Sequence, residues 1–143
     1  MQLKLAIASD HAGFCLKEEI KKAFPEIEWN DFGSYDQNAV DYPDTGKPAA
    51  EAVAKGILER GILICGSGIG MSIVANRFKG IRAALCWTPE IAELSRRHND
   101  SNILVLAGRY TSSEDAITMV KVWLQTEFEG GRHQRRIEKI DKE

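Results

Sequence analysis

The sequence has few cysteines, no long apolar run and no large excess of either charge. Its three cysteines, Cys15, Cys65 and Cys86, are an odd number without metal-ligand spacing. They speak against a disulfide framework and for free thiols in a reducing compartment. No stretch approaches the ~20 apolar residues that cross a bilayer. The short apolar run near Met1 gives way to Asp10 and His11 too soon for a signal-peptide core. Formal net charge is only −2, so no broad field draws the chain toward nucleic acid or an anionic membrane. Repeats, linkers and low-complexity stretches are missing too. The expectation is a cytoplasmic protein forming one domain over residues 1–143, long enough to bury a core.

What is there is an alternation of short apolar runs with helical patterns. Leu3 to Ser9, Ile27 to Phe32, Gly61 to Cys65, Ile81 to Cys86 and Asn102 to Leu106 read as strands. Phe14 to Phe24 reads as a helix, because Leu16, Ile20, Ala23 and Phe24 share a face. Ser34 to Asp44 reads as a surface loop, and a helix follows through Ala49, Ala52, Val53 and Ile57. Gly68 to Phe78, Pro89 to about Arg97, a segment capped by Ser112 or Ser113, and Arg132 to Ile140 read as further helices. Five strands, each followed by a helix, predict an α/β fold: a doubly wound five-stranded parallel sheet with helices on both faces and a C-terminal helix.

Such sheets bind ligands beyond the carboxyl ends of their strands. The residues there include Asp10-His11, the turn Cys65-Gly66-Ser67-Gly68-Ile69-Gly70, and Gly108-Arg109. Three alternating glycines let successive N–H groups converge on one spot, which suits a phosphate or a developing oxyanion. The same glycines would also serve a tight turn needed only for packing. A nucleotide P-loop is disfavoured, since Met71-Ser72 replaces the required Lys-Ser/Thr. The dinucleotide fingerprint fails on glycine spacing. Cys65, beside a helix start, could act as a thiolate base or nucleophile, or be structural. For Cys15 and Cys86 a buried structural role is expected. His98 could carry protons or cap its helix. A metal held by Asp10, His11 and His98 is conceivable but lacks a ligand pair at short helical spacing. Arg132 and Arg136, four residues apart, can share a helix face as a phosphate clamp or form a solvated basic face.

Taken together, Ser9-Asp10-His11-Ala12-Gly13, Asp41-Tyr42-Pro43, Ile64 to Gly70, Ala75-Asn76, Gly80-Ile81-Arg82-Ala83, Arg97-His98-Asn99-Asp100 and Glu129 to Arg136 form an ordered set. By that set the chain resembles the ribose-5-phosphate isomerase B family, which includes the galactose-6-phosphate isomerase subunits. The resemblance implies an aldose–ketose isomerase of carbohydrate metabolism, an intramolecular oxidoreductase working through a cis-enediolate. It implies Cys65 as the C2 proton acceptor and His98 as the group that opens the sugar ring. Met71 stands in the region where another branch carries a catalytic glutamate. Ser67 keeps the hydroxyl that many members supply from threonine. The resemblance implies substrate contacts from Asp10, His11, Gly66, Ser67, Gly68, Ile69, Gly70, Asn99, Arg109, Arg132 and Arg136, with Tyr42 a possible addition. It implies no metal or organic cofactor, a phosphosugar substrate, and a homo-oligomer, dimer or tetramer, with sites shared between subunits. A six-carbon phosphosugar substrate and a non-catalytic phosphosugar-binding regulator are the alternatives.

Overall fold

The five apolar runs pair into one parallel sheet in the computed structural model, which describes residues 2–143. The strands are β1 (Lys4–Ser9), β2 (Glu28–Asp31), β3 (Arg60–Cys65), β4 (Ala83–Leu85) and β5 (Ile103–Ala107). Their order is β2-β1-β3-β5-β4, and every pairing is parallel. The helices are α1 (Phe14–Ala23), α2 (Tyr42–Ala54), α3 (Ile69–Ala75), α4 (Pro89–Asn99), α5 (Ser113–Gln125) and α6 (Arg132–Glu138). A short 3-10 turn, His11–Gly13, joins β1 to α1.

Side chains alternate across a strand, so each central strand feeds two cores. Leu5, Ile7, Ile62, Ile64, Leu104 and Leu106 meet Leu16 and Ile20 of α1 and Met119, Val120 and Trp123 of α5. Ala6, Ala8, Leu63, Cys65, Ile103 and Val105 face α2 and α3, meeting Ala49, Ala50, Val53, Met71 and Ala75. The expected helices on both faces are therefore present. The second core is built of smaller residues, which lets α2 lie close to β1 and β3.

Several boundaries differ from the sequence reading. The helix expected from about Ala49 begins at Tyr42 and stops at Ala54, before Ile57. Pro43 fits its first turn, where a missing N–H costs nothing. The α3 helix ends at Ala75 rather than Phe78. There the Asn76 side chain turns back to bond both the N–H and the carbonyl of Ala83. Cys15 is exposed, against the expected burial, because its position on α1 faces the 34–41 loop, where Gln37 meets its Sγ at 3.3 Å. Cys86 is buried as expected, and burial pushes its thiol up to about 11.

Lys17 is the one fully buried lysine among the described residues. Its Nζ donates to both carboxylate oxygens of Asp31, at 2.8 and 2.7 Å, and to the Ser34 carbonyl at 2.6 Å. Removing one partner of such a pair leaves an uncompensated charge and costs about 3–5 kcal/mol. The lysine thereby ties the start of the 34–41 loop to α1. Ser34 N–H also donates to the Ser9 carbonyl at 2.7 Å, fastening the loop to the end of β1.

Candidate functional site

The chain runs from β1 outward to β2, then returns past β1 to β3. The switch point therefore lies between the carboxyl ends of β1 and β3, where a doubly wound sheet opens a crevice. Asp10 and His11 leave β1 there, and Cys65 ends β3. Asp10 is buried and caps the 3-10 turn, its Oδ1 accepting the Gly13 N–H at 3.1 Å. His11 is half-buried, and its Nδ1 accepts the Val40 N–H at 3.2 Å.

Cys65 is only 4% exposed. Beyond it the backbone turns through Gly68, whose φ of 78° is left-handed, as a glycine allows, and α3 begins at Ile69. The Ser67 hydroxyl accepts the Ile69 N–H at 3.3 Å, while Ile69 itself is exposed. Gly70 packs beneath Tyr42: a β-carbon there would stand 2.6 Å from the tyrosine ring. Tyr42 therefore roofs the turn from the start of α2. On the other side Arg109 N–H donates to the Gly66 carbonyl at 3.0 Å, and its guanidinium lies over Gly66. The structure thus brings Asp10, His11, Tyr42, Cys65, Gly66, Ser67, Gly68, Ile69, Gly70 and Arg109 to one edge. A thiol, a set of main-chain N–H groups and a cation converge there, the outfit for removing a proton from carbon and holding the resulting oxyanion.

His98, Asn99, Arg132 and Arg136 are not at that edge. Helix α4 travels from the carboxyl end of β4 back to the amino end of β5. Arg82, just before β4, marks its end by donating from Nε to the carbonyls of Asn99 (3.1 Å) and Asp100 (3.0 Å). One chain therefore does not combine His98 with Cys65, nor does it form the conceivable metal set of Asp10, His11 and His98.

At this amino edge the His98 ring stacks on the His133 ring, with centroids 4.4 Å apart and planes 14° from parallel. Glu129 stands beside both, its Oε1 3.9 Å from His98 Nε2 and 3.7 Å from His133 Nε2. Its other oxygen accepts from Arg97 Nε at 2.7 Å, and its N–H donates to the Arg97 carbonyl at 3.0 Å. That double tie seats the Gly130–Gly131 turn, from which α6 carries Arg132 and Arg136. His98, Asn99, His133 and Arg136 line a cavity of about 380 Å³. The ligand atoms of His98, Glu129 and His133 lie within 4.8 Å of one another, close enough to gather around a cation. Arg97, Arg132 and Arg136 surround them with positive charge, which favours an anion. The sequence reading missed Glu129 and His133 as site residues. Their i, i+4 spacing beside the two arginines was the available signal.

The sequence matches the profile of the Ribose/Galactose Isomerase family over residues 5–140. It is 47% identical to ribose-5-phosphate isomerase B of Escherichia coli, over 96% of this chain and 93% of that one. It is 51% identical to a putative sugar phosphate isomerase of Bacillus subtilis, over 96% and 95% of the two chains. The fold superposes on a ribose 5-phosphate isomerase from Thermotoga maritima with a TM-score of 0.97, 50% identity and full coverage of both chains. It superposes on ribose-5-phosphate isomerase B from Mycoplasma genitalium, solved with bound ribulose-5-phosphate, with a TM-score of 0.93 and 40% identity. That match covers 99% of this chain and 96% of the other.

Proposed function

From the chain's membership of the ribose/galactose isomerase family, we propose that it interconverts ribose 5-phosphate and ribulose 5-phosphate in a site completed by a second copy of itself. The observation that carries this reading is the placement of Cys65 at the switch point, against the Gly66–Gly70 turn and under Arg109. The relative from M. genitalium, of the same fold, holds ribulose-5-phosphate. Separation of Cys65 from His98 supports the second half of the proposal. A substrate that needs both groups must lie between the carboxyl edge of one subunit and the amino edge of another.

In this reading His98 of one copy gives a proton to the ring oxygen of ribose 5-phosphate, the C1–O ring bond breaks, the C1 hydroxyl loses its proton to water, and the C1 aldehyde is exposed. The Cys65 thiolate of the other copy removes the C2 proton. Electrons of that C–H bond move into the C1–C2 double bond, and negative charge collects on oxygen. N–H groups of the Gly66–Gly70 turn hold that charge, where one well-placed donor is worth ~3–4 kcal/mol. Return of the proton to C1, with the C2 hydroxyl proton passing to O1, gives ribulose 5-phosphate, so the reaction balances without an external oxidant or reductant. The phosphate sits at the far end of the open chain, gripped by Arg132 and Arg136 with His11 and Arg109. Binding energy from that remote group fixes the reacting carbons against Cys65. Asp10, Asn99 and Tyr42 complete the contacts to sugar hydroxyls. The small-molecule chemistry fits a cytoplasmic enzyme; among the described residues no helix is long and apolar enough to cross a membrane.

A coupled isomerase assay over five- and six-carbon aldose phosphates tests the assignment. Turnover should be highest with ribose 5-phosphate. A higher kcat/KM for allose or galactose 6-phosphate would move the substrate to the six-carbon class, and no turnover of any would leave only a binding protein.

A further inference from the structure

The hydrogen bond from Val40 N–H to His11 Nδ1, at 3.2 Å, decides more than the ring's orientation. A main-chain N–H can only donate, so Nδ1 must keep its lone pair. In a neutral imidazole the proton then resides on Nε2. Nε2–H is the donor left over, directed away from the 34–41 loop.

We infer that the Val40 main chain is a positioning group which locks His11 in the Nε2–H tautomer, so that the ring donates a hydrogen bond to the substrate's phosphate. The inference rests on the phosphate role proposed above for His11. The loop that delivers Val40 is pinned at both ends. Lys17 holds the Ser34 carbonyl at 2.6 Å, and Ser34 N–H is tied to the Ser9 carbonyl at 2.7 Å. Beyond Val40 the chain enters α2, whose Thr45 hydroxyl donates to the same Ser9 carbonyl at 2.9 Å. Two residues after Val40, the Tyr42 ring packs on Gly70. One three-residue stretch therefore sets the proton on the phosphate-binding histidine at one end and roofs the oxyanion turn at the other. A preset tautomer avoids a proton rearrangement on binding, which otherwise subtracts from affinity.

The test combines nitrogen-15 NMR of histidine-labelled protein with inhibition by inorganic phosphate. The His11 signals are assigned by their loss in His11→Gln. In the wild-type protein, recorded at about pH 8.5, well above the ordinary imidazole value, they should show the ring proton on Nε2. Val40→Pro, with Val40→Ala as its control, removes the N–H donor and also fixes φ there. It should release the tautomer lock and weaken both inorganic phosphate inhibition and KM roughly five- to tenfold, the worth of one hydrogen bond, with kcat within about twofold. Val40→Ala, which restores the N–H, should recover tautomer and affinity together. A wild-type ring protonated on Nδ1 would overturn the inference, whether or not the proline variant folds. So would unchanged phosphate affinity in folded Val40→Pro when His11→Gln has lost it. If His11→Gln itself binds phosphate normally, the phosphate role of His11 falls and this inference with it.

Discussion

The two edges of the sheet carry the two halves of the proposed site, and they are built differently. At the carboxyl edge the groups are fixed by backbone: strand ends, a glycine turn, a 3-10 turn and a pinned loop. Asp10 and Cys65 are buried there, and the main-chain N–H groups come preset by the fold. At the amino edge the groups are long side chains on helix ends. Arg132 and Arg136 are exposed, and His133 Nε2 is buried without a hydrogen-bond partner. In the proposed reading the carboxyl edge is the reacting half, where the C2 proton is removed. The amino edge is the gripping half, where Arg132 and Arg136 hold the phosphate beside the ring-opening His98, and by itself it is unfinished, with surplus positive charge and an unused donor or acceptor.

The largest expected effect lies on the reacting half. Cys65→Ala removes the proposed base at the turn, and a positioned general base contributes ~10²–10⁴-fold in rate. kcat should fall by that order while inorganic phosphate still binds. Near-normal turnover would take the proton-transfer role away from Cys65 and leave the carboxyl edge as a binding surface.

A complementation experiment probes the separation of the halves. Cys65→Ala and His98→Ala subunits should each be nearly inactive alone. If the halves meet across a two-fold interface, a mixed dimer rebuilds one intact site from the two undamaged halves. Refolding equal amounts together should then restore roughly a quarter of wild-type activity, since about half of the dimers are mixed and each has one good site. Activity that stays at the sum of the two variants would place both groups in sites made by one chain.

Arg136→Ala tests the gripping half. Loss of a charge-assisted hydrogen bond to phosphate costs about 1.5–3 kcal/mol, so KM should rise roughly 10- to 100-fold with a smaller change in kcat. An unchanged KM would remove Arg136 from the clamp.

The same contrast explains what could be read in the sequence. The central strands were legible because each is a nearly unbroken apolar run, as strands buried on both faces must be. Cys65 and its turn were legible because glycine spacing reports backbone geometry directly. The start of α2 was not: Tyr42 to Gly46 is written in turn residues, and Gly46 belongs in a helix only because Met71 presses on it from α3. His98 and the two arginines were recognisable as chemical types, but their distance from Cys65 follows from topology. A helix between two parallel strands must end at the edge where the second one begins. Glu129 and His133 lie inside the Glu129–Arg136 motif, but no role for them is readable until the Gly130–Gly131 turn is seated against the end of α4. Val40 carried no signal at all, since its contribution is a main-chain N–H.

The smallest expected effect concerns the unfinished imidazole at the amino edge. Burial, the Arg132 guanidinium and the facing His98 hold His133 below the ordinary imidazole value, with Arg136 adding to them and Glu129 pulling the other way. A depressed pKa means that the unfolded chain takes up the proton first. The contribution to stability is therefore complete above about pH 6.5 and is lost as pH falls through the folded value. Melting temperature should drop slightly more between about pH 7.5 and about pH 5.5 in the wild type than in His133→Gln. Parallel profiles would show that His133 does not sense its surroundings in this way. A phosphate bound between Arg132 and Arg136 places negative charge beside the ring and offsets the arginines. Saturating phosphosugar should then bring the two pH profiles together. If they stay apart by the same margin with ligand bound, the anion does not reach this edge, and the division into a reacting half and a gripping half loses its second member.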